Sequence, residues 1–139
     1  MKKILKFIFL LILAVSFSCE EQGLIINCPD CTSEEPLKTN LEIMLRISID
    51  GSTTLINVYE GNLEDSVLYR SFTSSTALTM IPVTINKKYT ITATYFIPDD
   101  YYIAVDSATP RVKFDKKRCE NPCYFVYDRV IDLRLKYTK

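Results

Sequence analysis

Residues 41–50 read LEIMLRISID, and every odd-numbered position in this stretch is apolar. The apolar residues are Leu41, Ile43, Leu45, Ile47 and Ile49. Successive side chains of a β-strand point to opposite faces, so five consecutive alternations predict a strand with one buried face. Asp50-Gly51-Ser52 predicts the turn that ends this strand. The stretch therefore indicates a β-type pattern with which the rest of the chain can be compared.

The same alternation recurs at short spacing along the chain. Further strands are predicted at Thr54–Glu60, Val67–Phe72, Ala77–Ile85, Lys88–Ile97, Tyr101–Val105, Arg111–Phe114 and Val130–Tyr137. The side chains expected to face inward in the two clearest of these are Tyr89, Ile91, Ala93, Tyr95 and Ile97, then Ile131, Leu133, Leu135 and Tyr137. Tyr124–Tyr127 is interpreted as the first half of the last strand, before a bend at Asp128. Pro82 cannot donate a ladder hydrogen bond, which predicts an edge position or a bulge for its strand.

Regularly spaced short strands, with no helical pattern after the N-terminal segment, define the expected fold class. We predict an all-β protein with a single antiparallel two-sheet sandwich of about 7–8 strands, either transthyretin-like or immunoglobulin-like. The predicted organisation is a signal peptide over residues 1–18, a polar tether over 19–39 and the sandwich domain over 40–139.

Three short stretches carry a resemblance to a known type of domain: INVYEG at 56–61, IPV at 81–83 and KYTITATY at 88–95. Their order resembles that of small transthyretin-like and carboxypeptidase-regulatory-like domains. The resemblance covers roughly residues 40–137 and implies a sandwich that acts by binding or assembly. A fibronectin-like sandwich fits the same pattern.

The N-terminus has the pattern of an export signal. Lysines at positions 2, 3 and 6 precede an apolar run, and Ser16 and Ser18 are small residues just before Cys19. The run Phe7–Val15 is shorter than the roughly 20 residues that span a bilayer. Cleavage before Cys19 is therefore expected.

A cysteine directly after such a cut resembles the lipid acceptor of bacterial lipoproteins. Glu20-Glu21, next in the chain, resembles the surface-export tag of Bacteroidetes lipoproteins. The resemblance implies lipid on Cys19, a membrane anchor, and a position at the outer membrane that is exposed on the cell surface. The alternatives are ordinary cleavage that leaves a free cysteine, or an uncleaved anchor.

Composition excludes several function classes. The chain has 17 basic and 17 acidic residues, no His and no Trp. Removal of the signal would take three lysines with it and leave a net charge near −3, so no basic stripe supports nucleic-acid binding. Without His, Ser-His-Asp and Cys-His catalysis and His-ligated metal sites are excluded. No cofactor motif is present, and we predict a protein that is not an enzyme.

The cysteine count supports the interpretation of Cys19 as a lipid acceptor. Setting Cys19 aside leaves an even number of cysteines: Cys28, Cys31, Cys119 and Cys123. Two disulfides are expected in an exported protein, with three connectivities open and a preference for two long-range bridges. A four-thiolate zinc site is the less favoured alternative, since such sites suit a reducing cytosol.

Other side chains give weaker signals. Aspartates at 99, 100, 106 and 115 are predicted to cluster at one end of the sandwich, where a calcium site is the alternative to ordinary turn chemistry. Ser66 and Ser107 follow Asp in short patterns that resemble Bacteroidetes O-glycosylation sites, which requires exposed loops. Aromatic residues at 95–102 and 124–127 are interpreted as core and cross-strand packing, with a contact surface as the alternative. Residues 113–118 include a basic run, interpreted as a solvated loop.

The functional hypothesis is a cell-envelope lipoprotein that acts as a non-catalytic binding or accessory module. Its expected contacts are the membrane, through lipid on Cys19, and an envelope protein or a glycan. The alternative is a structural subunit of a surface fibre, since transthyretin-like sandwiches also build lipid-processed fimbriae in the same bacteria.

Overall fold

The regular secondary structure of the described part of the chain is almost entirely β-strand. The described part comprises residues 27–47, 51–97 and 100–136 of a computed structural model. The strands are β1 Lys38–Met44, β2 Thr54–Glu60, β3 Leu68–Ser74, β4 Leu78–Thr84, β5 Tyr89–Ile97, β6 Asp100–Ala108, β7 Arg111–Asp115, β8 Cys123–Tyr127 and β9 Val130–Asp132. Short 3₁₀ turns lie at Cys28–Asp30 and Leu63–Asp65. No described helix is long and apolar enough to cross a membrane.

Two sheets face each other across one core, as the predicted sandwich requires. The first has the order β4-β1-β9 and the second the order β3-β2-β5-β6, while β7 and β8 form a separate hairpin. The all-β sandwich prediction is confirmed, with nine strands described. Pairing is antiparallel except between β1 and β9, which run parallel; the β7–β8 hairpin precedes β9 in the chain.

The core includes most of the residues that the alternation placed inward in the first, fifth and last strands, together with residues of β2 and β4 whose inner face was not assigned from the sequence. They come from both sheets: Leu41, Ile43, Leu45, Ile56, Val58, Ile81, Val83, Tyr89, Ile91, Ala93, Tyr95, Ile131 and Leu133. Full burial of each large apolar side chain contributes about 1.5–3 kcal/mol. The match in the first, fifth and last predicted strands shows that a period of two residues is sufficient to identify an inner face.

Two predicted core positions are wrong, and both lie at strand ends. Ile47 is 57% exposed because β1 ends at Met44, and Ile97 is 38% exposed as the last residue of β5. Leu135 is partly buried and packs against the core. Ile49 and Tyr137 lie outside the described residues. Alternation thus continues in sequence beyond the point where an opposing sheet can cover it.

The strand at Tyr124–Tyr127 is not the first half of the last strand. It is β8, which pairs with β7, and the chain turns at Asp128, whose φ is +55°. The predicted bend at Asp128 is therefore confirmed, whereas the predicted continuation of Tyr124–Tyr127 into the last strand is wrong. Pro82 is confirmed in an edge strand, since β4 is the outer strand of its sheet.

Candidate functional site

The outer face of the four-stranded sheet is uncharged. Alternate residues of its four strands point away from the core, and together they define what we call the neutral face. These residues are Leu55, Asn57, Tyr59, Ser71, Thr73, Thr90, Thr92, Thr94, Phe96, Tyr101, Ile103, Val105 and Ser107. By contrast, Lys38, Glu42 and Asp132 lie on the outer face of the three-stranded sheet. A face without charge is unusual in a chain that is 24% charged.

A column of threonines runs along the middle of the neutral face. Thr90, Thr92 and Thr94 of β5 lie between the outward side chains of β2 and β6, so that Asn57 and Val105 flank Thr92. Thr90 and Thr92 are buried by these neighbours although they point outward. The column therefore forms a shallow trough with small hydroxyl side chains at its base.

Exposed apolar residues form the rim of the trough on the β6 side. Tyr101 is 61% exposed, Ile103 56% and Val105 52%, and Phe96 of β5 is 56% exposed beside Tyr101. Contiguous apolar side chains on an uncharged surface are typical of interaction sites, whose centres are depleted of charged residues. The neutral face is therefore the first candidate binding surface.

The two disulfides lie away from this face, where the N-terminal segment meets the β7–β8 hairpin. Cys28 is bonded to Cys119 and Cys31 to Cys123, with Cα–Cα separations of 5.7 and 5.5 Å. The favoured long-range connectivity is the one found. Thr32 adds two backbone hydrogen bonds with Tyr124, of 2.9 and 2.8 Å. The segment that leads back towards Cys19 is thus fastened to the domain.

Sulfur atoms of Cys31, Cys119 and Cys123 lie within 4.8 Å of one another because the two disulfides are adjacent. Such closeness would suit a thiolate zinc site, but zinc binds the deprotonated thiol. With each sulfur engaged in a disulfide, the site in this form has no thiolate ligand to offer.

A groove of about 500 Å³ adjoins the same junction. Its walls include Asp30, Lys38, Tyr124 and Arg129. Arg129 forms ion pairs with Glu42 at 3.2 Å and with Asp30 at 3.9 Å. Because these charges already compensate one another, the groove offers little net attraction to a charged ligand.

The predicted aspartate cluster does not form, so the expectation of one acidic end is wrong for the described members. Asp100 and Asp106 lie six residues apart on β6, which separates them by roughly 20 Å along the strand. Asp106 accepts hydrogen bonds from the amides of Ser107 and Asp132, and Asp115 from those of Lys117 and Arg118. These carboxylates stabilise loops and strand ends. Asp99 lies outside the described residues.

Shifted pKa values reflect the same structural contacts. Amide donation from Arg118 and Lys117 holds the pKa of Asp115 below its usual value. The guanidinium of Arg134 lowers the pKa of Asp132, to which it donates at 2.8 and 2.9 Å. Burial raises the pKa of the Tyr95 phenol. All three groups lie off the neutral face.

The remaining predicted residues are placed as follows. Ser66 is exposed in the turn after the second 3₁₀ segment, whereas Ser107 is exposed within strand β6 and not in a loop. Modification of either stays a prediction. Cys19 and the signal lie outside the described residues. Lys116, Lys117 and Arg118 of the basic run lie exposed in the β7–β8 loop.

The aromatic clusters have mixed roles. Tyr95 and Phe125 are buried, as the packing interpretation expected. Phe114 and Tyr124 pack with ring centroids 4.7 Å apart. Phe96, Tyr101 and Tyr102 are exposed, and the first two belong to the neutral face.

Sequence reasoning did not single out the neutral face, although a signal was present. The outward positions of β5 and β6 contain Thr, Ser and apolar residues, whereas those of the first and last strands contain Glu42, Asp132 and Arg134. A comparison of outward positions between strands would have found it.

Comparison with protein-family models, with curated proteins and with solved structures finds no match. The description of this protein as an all-β sandwich with two disulfides therefore rests on its own residues and contacts.

Proposed function

We propose that this protein is a lipid-anchored, non-catalytic binding module of the bacterial cell envelope, which presents its neutral face to a partner protein. The observation that carries the proposal is the uncharged outer surface of the four-stranded sheet with its exposed apolar rim. Lipid on Cys19 would hold the domain at the membrane, since two or more acyl chains give stable anchoring.

The junction near Cys28 suits such an anchor. Eight residues separate Cys19 from Cys28, and the disulfides of Cys28 and Cys31 tie this end of the chain to the β7–β8 hairpin. A pull on the anchor is then resisted by covalent bonds to the hairpin. The neutral face lies on a different sheet from that junction and is left for contact with a partner.

A protein is favoured over a glycan as the partner. Ile103 and Val105 are aliphatic, and aliphatic side chains match apolar protein surface better than sugar hydroxyls. The chain also lacks Trp, the side chain most suited to stacking on a sugar ring.

The test places a photo-crosslinking residue on the neutral face of the full-length protein in cells. Phe96 is the test position, and Met80 is the matched control because it is 54% exposed on the opposite, charged face. We expect a defined protein adduct from position 96 and not from position 80. The adduct should disappear when Thr94→Arg is added, since a cation there would break the uncharged surface. A glycan adduct, equal adducts from both positions, or none would overturn the choice of surface or partner.

Anchoring has its own test. Lipid labelling of wild type and Cys19→Ala, together with protease shaving of intact cells, should give a label that the substitution abolishes and protein that protease removes. Labelled protein that resists protease would move the module to the periplasmic side. An unlabelled wild type would contradict the anchor.

The fibre-subunit alternative draws its support from an incompletely satisfied edge on β6. A fibre needs two complementary contacts per subunit, whereas a surface that pairs with its own copy closes after two. Sedimentation separates the two: a fibre subunit would form a ladder of species, and a binding module would not.

A further inference from the structure

Strand β6 is the outer strand of the four-stranded sheet, and half of its backbone groups face away from β5. The amide of Gly61 donates to the carbonyl of Lys88 at 2.8 Å, which continues the β2–β5 ladder. Because antiparallel ladders alternate, the even-numbered residues of β5 bond to β2 and its odd-numbered residues bond to β6. The register with β6 then directs the odd-numbered residues of β6 towards the free edge.

The two ends of this free edge are already satisfied by neighbouring side chains. The Asp100 carboxylate accepts a hydrogen bond from the amide of Tyr101, and the Asp106 carboxylate accepts one from the amide of Ser107, both at 2.8 Å. Both bound amides belong to odd-numbered residues of β6, as the alternation of the ladder requires. Between them, the amides and carbonyls of Ile103 and Val105 face outward, and no described backbone group beyond β5 pairs with them.

We propose that a second copy of this chain pairs with this edge, β6 against β6, antiparallel about a two-fold axis at Ala104. Ile103 of each copy then lies opposite Val105 of the other. Each such pair exchanges two hydrogen bonds, so four bonds use all the outward amides that lack a partner. The flanking pair joins Tyr101 to Ser107, whose amides are already bound, and pairing would end there.

The side chains favour this register. On the neutral face, Ile103 and Val105 would form two apolar cross-strand pairs, a kind of contact that stabilises sheets. On the other face, Ala104 meets its own copy with the smallest possible side chains. Asp106 lies opposite Tyr102 and Asp100 opposite Ala108, so the register places no two like charges directly opposite each other.

The edge lacks three devices that commonly prevent such pairing, and a fourth, the inward-pointing charge of Asp106, is already bound by the amides of Ser107 and Asp132. Protein edges are usually blunted with Lys, Pro or a bulge. β6 contains no Lys and no Pro, and its nine residues pair with β5 without a register shift. The opposite outer strand of the same sheet, β3, has a register shift at Val58/Tyr59 and carries Arg70. The contact would therefore give a closed pair with one continuous neutral face across both copies.

A cysteine cross-link in intact cells tests the register with the full chain. In the proposed pair, Ala104 opposes its own copy in a non-hydrogen-bonded position, where Cα atoms are about 4.5 Å apart. Val105 would lie diagonal to its own copy, about 7–8 Å away. We expect Ala104→Cys to give a covalent dimer under mild oxidation and Val105→Cys to give several-fold less.

A second pair of variants tests the backbone bonds. Val105→Pro removes an outward amide that no intramolecular bond uses, so the fold should be kept, whereas Val105→Thr keeps the amide and the shape. In sedimentation equilibrium of the chain from residue 19 with Cys19→Ser, we expect Val105→Pro to weaken the dimer about thirtyfold and Val105→Thr to change it little. Far-UV circular dichroism checks that both variants are folded.

Three results would overturn the proposal. One is a monomer at every concentration together with no cross-link from position 104. Another is equal cross-linking from positions 104 and 105, which would indicate random encounters. The third is a dimer that folded Val105→Pro does not weaken. An adduct with a different protein at this edge, in place of the dimer, would also contradict the second copy as occupant.

Discussion

β4 and β6 are both outer strands, and half of the backbone amides and carbonyls of each face away from its sheet. The two strands differ in how these groups are bound. Along β4, Pro82 has no amide to expose, and its carbonyl accepts the Tyr69 hydroxyl at 3.2 Å. The amide of Thr84 donates to the Tyr89 hydroxyl at 3.1 Å, and the carbonyl of Leu78 accepts the Thr76 hydroxyl at 2.9 Å. Side chains of the same molecule thus bind the half of this edge around Pro82 and Thr84, whereas the outward amides of Leu78 and Met80 have no partner among the described residues.

Along β6, side chains satisfy only the amides at the two ends. Asp100 and Asp106 bind these amides, and Asp106 also accepts the amide of Asp132 at 2.9 Å, which links β6 to β9. The middle of the strand has no such partner among the described residues. The two strands therefore differ in where the unbound amides lie. On β4 they belong to Leu78 and Met80 at the start of the strand, before Pro82, whereas on β6 they belong to Ile103 and Val105 in the middle, between two bound amides.

The largest effect we expect comes from the covalent links, which support both edges equally. Replacement of Cys28, Cys31, Cys119 and Cys123 by Ser removes both bridges, because either bridge alone still closes a loop across 91 or 92 residues. The chain-entropy model gives a loss of about 4 kcal/mol in the free energy of unfolding. Urea unfolding measures it, and the Ala104→Cys cross-link should persist in the folded fraction. A loss below about 1 kcal/mol would contradict the loop-closure argument.

Removal of the Asp106 carboxylate should be next in size. Asp106→Ala leaves the amides of Ser107 and Asp132 without their acceptor, and bonds to charged groups contribute about 1.5–3 kcal/mol. We expect a loss of about 3 kcal/mol in urea unfolding. Asp100→Ala is the control because it caps one exposed amide. If both variants lose equal stability, Asp106 does not link the sheets.

A smaller change can release one bound amide at the edge of β4. Tyr89→Phe removes the hydroxyl that binds the amide of Thr84, at a cost of about 1–2 kcal/mol, while the buried ring remains. Thermal unfolding should show the loss, and amide hydrogen exchange of Thr84 should become faster. Tyr102→Phe, in an exposed ring, serves as control. Unchanged exchange at Thr84 would mean that this hydroxyl does not protect the edge.

The smallest effect concerns pH. Burial raises the pKa of Tyr95, whose hydroxyl donates to the carbonyl of Leu133 at 2.9 Å and accepts from the amide of Arg46 at 3.2 Å. Its contribution is complete below the unfolded pKa, near 10, and is lost as pH rises through the folded value. We expect urea midpoints to fall above about pH 10, and to fall less in Tyr95→Phe. Equal slopes in both proteins would contradict this assignment.

Much of the fold follows from local pattern. The inner faces of β1 and β5 were predictable because alternation depends only on the two-residue period of a strand. The edge position of Pro82 was predictable because a missing amide is a property of the residue itself. The errors at Ile47 and Ile97 arose because strand ends depend on what covers them.

The candidate site was less predictable. The sequence identified exposed aromatic residues near position 100 as one option, but the neutral face needs the registers of β2, β5 and β6 to place Asn57, Thr92 and Val105 side by side. The predicted aspartate cluster failed for the same reason: Asp100 and Asp106 are near in sequence, but a strand is an extended structure that holds them apart.

The sequence by itself determined the fold class, most of the core and the oxidisable cysteines, because strand period and residue chemistry are local properties. Only the tertiary structure decided the pairing of Cys28 with Cys119, the parallel contact of β1 with β9, and which backbone groups of the sheet edges are bound by side chains. Each of these depends on groups that are distant in the chain and meet only after folding. The hydroxyls of Tyr69 and Tyr89 reach Pro82 and Thr84 of β4 from another sheet, and no pattern within β4 specifies that they will do so.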